Sequence, residues 1–178
     1  MANTYTLIET QTLASSAASV TFSSIPATFT DLAIRASTKT DAAGTYGANE
    51  TRVEINGDTT TLYSTTDLFA TFDGSSNAAY SSRQSAAAYV RSRYTAELAD
   101  PASVFSSYEL YIPSYTASQS KAMSASGVAE RNATGIDGIN ATAGLYRSNT
   151  AISQIKLSGG GANWVTGSSF YLYGIKNS

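Results

Sequence analysis

The sequence predicts an all-β domain, an antiparallel β-sandwich of jelly-roll or Greek-key kind. Three observations carry that expectation. Short runs alternate apolar and polar residues with period two, clearest in Val20/Phe22, Leu32/Ile34/Ala36 and Val53/Ile55, the pattern of a sheet with one buried face. The polar residues are Ser (27), Thr (23) and Tyr (12) rather than charges, which make up only 13%; Thr and Tyr suit a pleated surface, whereas long helices want Glu, Lys, Leu and Gln. Turn signals punctuate the chain about every 8–12 residues, enough for about nine or ten short strands.

Taken in order, Tyr5 to Thr12 reads as a first strand, with Leu7 and Ile8 on opposite faces, within an N-terminal segment of about residues 1–14 that could act as an arm toward partners. A small-residue turn, Ser15 to Ser19, leads into Val20-Thr21-Phe22, and Ile25-Pro26 turns the chain again. Asp31 to Ser37 is the clearest strand, with Leu32, Ile34 and Ala36 inward and Arg35 outward. Thr38 to Ala48 has loop composition, and Thr51 to Ile55 resumes the alternation with Arg52 and Glu54 on the wet face. Asn56-Gly57-Asp58 is a hairpin signal. Asp67 to Phe72 is a strand, Asp73 to Tyr80 a loop, and Ala86 to Tyr94 a strand with Ala88/Val90 opposite Tyr89/Arg91/Arg93. Ser106 to Tyr115 places Tyr108, Leu110 and Ile112 on one face until Pro113 ends the ladder. Lys121 to Ala129 alternates small residues. Arg131 to Gly144, rich in Gly and Asn, reads as a long exposed loop. Leu145 to Ser148, Ser153 to Leu157 and Ser168 to Lys176 complete the set, the last with Phe170/Leu172 against Tyr171/Tyr173 and placed inside a sheet because untied termini fray.

At 178 residues the chain forms one domain, residues 1–178. Cysteine and histidine are both absent. That removes disulfides, thiol chemistry, Cys/His zinc sites and any triad that runs through imidazole. The net charge of −2 comes with scattered basic residues, so neither a nucleic acid nor an anionic membrane is an expected partner. No run approaches the ~20 apolar residues of a spanning helix. MANTYTLIETQT lacks the basic start and apolar centre of a signal peptide.

The chemical motifs are weak. Ser118-Gln119-Ser120-Lys121 matches S-x-x-K, but it lies between two strands instead of at a helix start, and the companion motifs are missing. Glu50/Glu54 and Glu97/Asp100 are the carboxylate pairs that could serve hydrolysis; the first brackets Arg52 on a strand and reads as a solvated charged face, the second sits in a turn. Asp73, Ser75 and Asn77 have the spacing of a calcium loop without its glycine and glutamate. The expectation is a non-enzymatic protein with no catalytic residue, cofactor or metal. Tyr89, Arg91, Arg93 and Tyr94 place aromatic and cationic groups on the predicted outer face, where they would serve an interface or a cross-strand ladder. Tyr5, Leu7, Arg131 and Asn132 complete the candidate interface residues.

The phrases TFSSIPATFTDLAIRAS, TRVEINGD…LYS, YELYIPSYTASQSKAMS, AGLYRSNTAISQIKLS and SSFYLYGIK resemble virion structural proteins of tailed bacteriophages, particularly those of aquatic and cyanobacterial phages. The resemblance spans nearly the whole chain. It implies a non-enzymatic sandwich, made in the host cytoplasm and carried in the virion. The expected role is capsid decoration (cement) on the head surface, commonly as a homotrimer bound to the major capsid protein. The alternative is a fibre-tip or receptor-binding module for a host-surface glycan. The resemblance carries over no catalytic residue.

Overall fold

The computed structural model describes residues 4–42, 50–72, 77–93, 95, 104–130 and 137–176. Among these there is no helix. There are twelve strands: β1 Tyr5–Thr12, β2 Ser19–Phe22, β3 Asp31–Thr38, β4 Glu50–Ile55, β5 Tyr63–Phe72, β6 Asn77–Ala87, β7 Val90–Arg93, β8 Ser106–Ile112, β9 Lys121–Ala129, β10 Asp137–Tyr146, β11 Ile155–Ser158 and β12 Ser169–Ile175. They form two antiparallel sheets, ordered β1-β12-β3-β8-β9-β10-β5-β6 and β2-β11-β4-β7.

Setting aside the β5–β6 hairpin and the β9–β10 hairpin leaves eight strands. Counted afresh along the chain, these lie in the order 1-8-3-6 in one sheet and 2-7-4-5 in the other. That interleaving, in which the chain keeps changing sheets and its two ends pair, is a jelly roll. The hairpins are insertions whose strands join edge to edge, β8 to β9 and β10 to β5, so they double the width of one sheet. The smaller sheet covers only part of the wider one, and this mismatch shapes both surfaces described below.

One hydrophobic core joins the sheets. Leu32, Ile34, Leu110, Ile112, Phe170 and Leu172 of the wide sheet meet Phe22, Val53, Ile55, Ile155 and Leu157 of the narrow one. Inward residues are fully buried while their neighbours are wet, as in the alternating burial of β8 and β9, because side chains of a strand point to opposite faces in turn. Trp164, the only tryptophan, is fully buried; its ring packs edge-on to Phe170 at 5.5 Å. The predicted strands at β1, β3, β8, β9, β11 and β12 are present, and β12 lies between β1 and β3. The N-terminal segment is not detached from the sandwich: β1 pairs with β12 along its length.

Four expectations need correction. The predicted loop at residues 131–144 contains most of β10, which runs Asp137–Tyr146 between β9 and β5. Its glycine is there for packing: a Cβ on Gly144 would lie 2.7 Å from Val90 Cγ1 and 2.8 Å from Met123 Cγ. The predicted loop at residues 73–80 gives way to β6 from Asn77. The single strand predicted over 86–94 is two, because Ala86 adopts a positive φ of 54° and the chain bends at Ala88–Tyr89 from the wide sheet into the narrow one. Asn56-Gly57-Asp58 does turn, with φ of 54° at Asn56 and 69° at Gly57, but it carries the chain from β4 to the other sheet and makes no hairpin. The departing chain is captured by Tyr63, whose hydroxyl accepts the Ile55 N–H and donates to the Asp58 carbonyl, both at 2.9 Å.

Candidate functional site

Asp67 sits on the inward face of β5, fully buried, where the wide sheet reaches past the edge of the narrow one. A carboxylate without water needs partners on both oxygens. Oδ2 accepts from Arg91 Nε at 3.0 Å and from Ser82 Oγ at 3.3 Å. Oδ1 accepts from Thr142 Oγ1 at 3.1 Å. The network continues inward: Asn140 Nδ2 donates to Thr142 Oγ1 at 2.8 Å, and Ser92 Oγ donates to Asn140 Oδ1 at 2.6 Å. Arg93 Nε lies 4.0 Å from Oδ2, and its guanidinium stands 4.6 Å from the centre of the Phe69 ring. Phe69 in turn stacks on Tyr80 at 5.3 Å.

This cluster corrects the reading of Arg91 and Arg93 as outward interface residues. Their side chains are only 17% and 19% exposed. The strand β7 is an edge strand of the narrow sheet, so side chains on its nominal outer face wrap around that edge and reach the overhanging β5. Tyr89 is half-buried, with the Arg52 guanidinium 4.4 Å from its ring centre. Tyr94, Arg131 and Asn132 lie outside the described residues. The network is a strut that fixes the inserted hairpins against the narrow sheet.

The outer face of the wide sheet is the second region, and it falls into two halves. Over β9, β10, β5 and β6, the cross-strand rows Val128–Ile139–Ala70–Ala79 and Ser126–Ala141–Leu68–Ser81 carry no charge. Leu68, Ile139 and Val128 are 63%, 56% and 38% exposed. Over β12, β3 and β8 the row Tyr173–Ala33–Tyr111 places a small residue between two tyrosines, and the next row is Tyr171–Arg35–Glu109. Two adjoining half-open hollows form a trough here: one of about 270 Å³ over β3, β8 and β9, lined by Tyr5, Ala33, Arg35, Glu109, Tyr111, Ser124 and Ser126, and one of about 310 Å³ beside β12, lined by Tyr5, Arg35 and Tyr173. Arg35 and Glu109 form an exposed ion pair of 3.2 Å across it. The Tyr111 hydroxyl donates to Asp31 Oδ2 at 2.9 Å, and that bond to a carboxylate holds the phenol above its ordinary range. Tyr5 and Leu7, the candidate interface residues of β1, are both exposed, and Tyr5 meets Tyr173 edge-on at 6.3 Å.

No family model, curated protein or solved structure matches the chain.

The other sequence candidates separate cleanly. Lys121 of the S-x-x-K tetrapeptide is buried, its ammonium donating to the carbonyls of Ala117 (2.7 Å), Gln119 and Ser148 (3.4 Å). Those bonds occupy all three of its protons, and desolvation lowers its pKa. The tetrapeptide bends at Ser118–Gln119 and its lysine opens β9, with no helix. Glu50 pairs with Arg52 at 2.7 Å along β4 and Glu54 with Lys156 at 3.1 Å across to β11, so each carboxylate of that pair is held in its own ion pair. Glu97/Asp100 and the Asp73–Ser75 part of the calcium-like loop lie outside the described residues. Among the described residues no group of three or more Asp or Glu is placed to hold a metal ion, and no helix is long and apolar enough to cross a membrane. Sequence reasoning missed Asp67, Asn140 and Thr142, and it left the trough residues Arg35, Glu109 and Tyr111 unassigned because cross-strand register is not visible in a single strand.

Proposed function

We propose that the chain is a non-enzymatic structural protein of a tailed-phage particle. In this reading it is a capsid decoration (cement) protein that binds the outer surface of the head and stabilises the shell lattice. The observation that carries the reading is the pair of uncharged cross-strand rows on the outer face of β9-β10-β5-β6, with Leu68, Ile139 and Val128 in solvent and the next charge, Arg83, one row further along beside Thr66. Charge depletion marks the centre of protein interfaces, and large apolar side chains grouped on a sheet face mark a docking surface. The resemblance of the sequence to phage virion proteins supplies the partner, the major capsid protein.

A cement protein grips several shell subunits at once. A closed homotrimer would present the same face three times, so individually weak contacts would add to a tight hold. A jelly roll braced by a buried strut suits a part whose task is rigidity. The absence of imidazole and thiol agrees with a protein that performs no chemistry. Its location would be the virion surface, after synthesis in the host cytoplasm.

The test adds the purified chain to heads of the phage that carries it and follows co-sedimentation. Leu68→Glu and Ile139→Glu change exposed side chains, and the emission of buried Trp164 reports whether the fold is kept. The wild type is expected to sediment with the heads, and each variant to lose about tenfold or more in affinity, as for charge placed in an interface centre. Wild-type protein that stays in the supernatant, or variants that bind equally well, would contradict the proposal. The tyrosine-flanked trough favours a second reading, a fibre-tip or receptor-binding module for a host-surface glycan. That module would be present in a few copies per particle instead of in lattice proportion.

A further inference from the structure

We propose that the trough over β12, β3, β8 and β9 is a binding site for a neutral carbohydrate, taking one pyranose unit of a larger glycan. The inference concerns the other half of the same outer face, which borders the uncharged rows at Ser126, and it holds whether the protein decorates a head or tips a fibre.

The backbone register builds the site. Tyr173 and Tyr111 flank Ala33 on adjacent strands, so their backbones stand two strand spacings apart, about 10 Å. Ala33 does not fill that gap, and the floor stays low between two aromatic walls. Tyr5 extends the Tyr173 wall from the edge strand, 54% exposed. Aromatic faces are what the C–H faces of a pyranose stack against, because the ring's electron-rich face attracts the polarised C–H bonds.

The polar groups define the ligand further. Arg35 and Glu109 project from the next row, 63% and 54% exposed. An ion pair that open contributes little to stability. It does present a planar donor fork beside a planar acceptor pair, the complement of two adjacent hydroxyls, each of which both gives and receives a hydrogen bond. The pair is neutral as a unit, and no further cation lines the trough. A phosphate, sulfate or nucleic acid would find no uncompensated positive charge there. Ser124 and Ser126, the β9 neighbours of Tyr111 and Glu109, supply further hydroxyls on that side of the trough. A lipid would leave the ion pair desolvated without a partner, which is costly. The hollows of about 270 Å³ and about 310 Å³ lie at the lower end of the ~300–1,000 Å³ of drug-sized ligand sites, a size for one sugar ring with its neighbours in solvent.

Each site should bind weakly alone, since it is open and its side chains must be ordered on binding. The experiment therefore uses an array of neutral glucose-, galactose- and mannose-terminated oligosaccharides at high surface density, followed by saturation-transfer NMR on the best of them in solution. The probe proteins are the full-length chain, Glu109→Gln, Tyr5→Ala and the distant Leu68→Glu, each checked for native Trp164 emission. Wild type and Leu68→Glu are expected to bind a subset of the neutral glycans. Glu109→Gln and Tyr5→Ala should each weaken that binding about tenfold, the loss of one charge-assisted hydrogen bond or of one stacking wall. Ala33→Leu, which fills the floor, should abolish it. No binding to any neutral glycan, preference for anionic glycans alone, or binding unaltered in all three trough variants would each overturn the inference. Head docking is read on the other half of the sheet with other variants, so either proposal can fail without the other.

Discussion

Replacing Asp67 by alanine removes the carboxylate that is paired with Arg91 and lies near Arg93. The carboxylate is fully buried and accepts from Arg91, Ser82 and Thr142, with Arg93 at 4.0 Å. Breaking a buried pair by removing one partner leaves the other charge uncompensated and typically costs about 3–5 kcal/mol. For a chain of 178 residues, each kcal/mol moves the thermal midpoint by about 2–4 °C, so Asp67→Ala should melt about 6–20 °C lower than wild type. The assay is thermal and urea unfolding followed by the emission of Trp164, the only tryptophan. A double-mutant cycle with Arg91→Ala isolates the pair: the double variant should be less destabilised than the two single changes summed, by about 1–3 kcal/mol. An Asp67→Ala protein within about 1 kcal/mol of wild type, with an additive cycle, would show that the overhang is not held by this network.

Two further outcomes follow from buried and titrating groups. The Tyr108 hydroxyl is buried with no hydrogen-bond partner among the described residues. Tyr108→Phe should therefore be neutral or stabilising by up to about 1–3 kcal/mol in urea unfolding, and a loss of more than about 1 kcal/mol would mean the hydroxyl has a partner. Stability should also fall at both ends of the pH scale. Hydrogen bonds from Thr60 to Asp58, and from Asn163 to Asp41, lower those carboxyl pKa values below 3.8; their contribution is present above that value and lost as pH falls through the lowered ones. Burial raises the phenols of Tyr63, Tyr108, Tyr115 and Tyr146 above 10.0; their contribution is present below pH 10 and lost as pH rises through the raised values. A midpoint flat from acid to alkali would contradict both assignments.

The parts of the fold legible in the sequence were those in which the buried face is apolar. Leu32/Ile34/Ala36, Tyr108/Leu110/Ile112 and Phe170/Leu172 face the core as their alternation requires. The strand β10 escaped because its inward residues are Asn140, Thr142 and Gly144, which look like loop chemistry. They face inward because a buried carboxylate must be hydrogen-bonded and because Val90 and Met123 leave no room for a side chain at Gly144. Arg91 and Arg93 were aimed outward by the alternation and turn instead toward β5: period two gives the face of a strand but not whether that strand ends its sheet. The trough had no sequence signal of its own, since Tyr173, Ala33, Arg35, Glu109 and Tyr111 come from three strands whose register appears only when they pair.

The most direct test of the proposed role is stoichiometry. Purified particles of the phage that carries this chain would be quantified for it against the major shell protein. A fixed ratio set by the shell lattice, lost together with head stability when the chain is deleted, is the predicted result. A few copies per particle, or none, would contradict the decoration role.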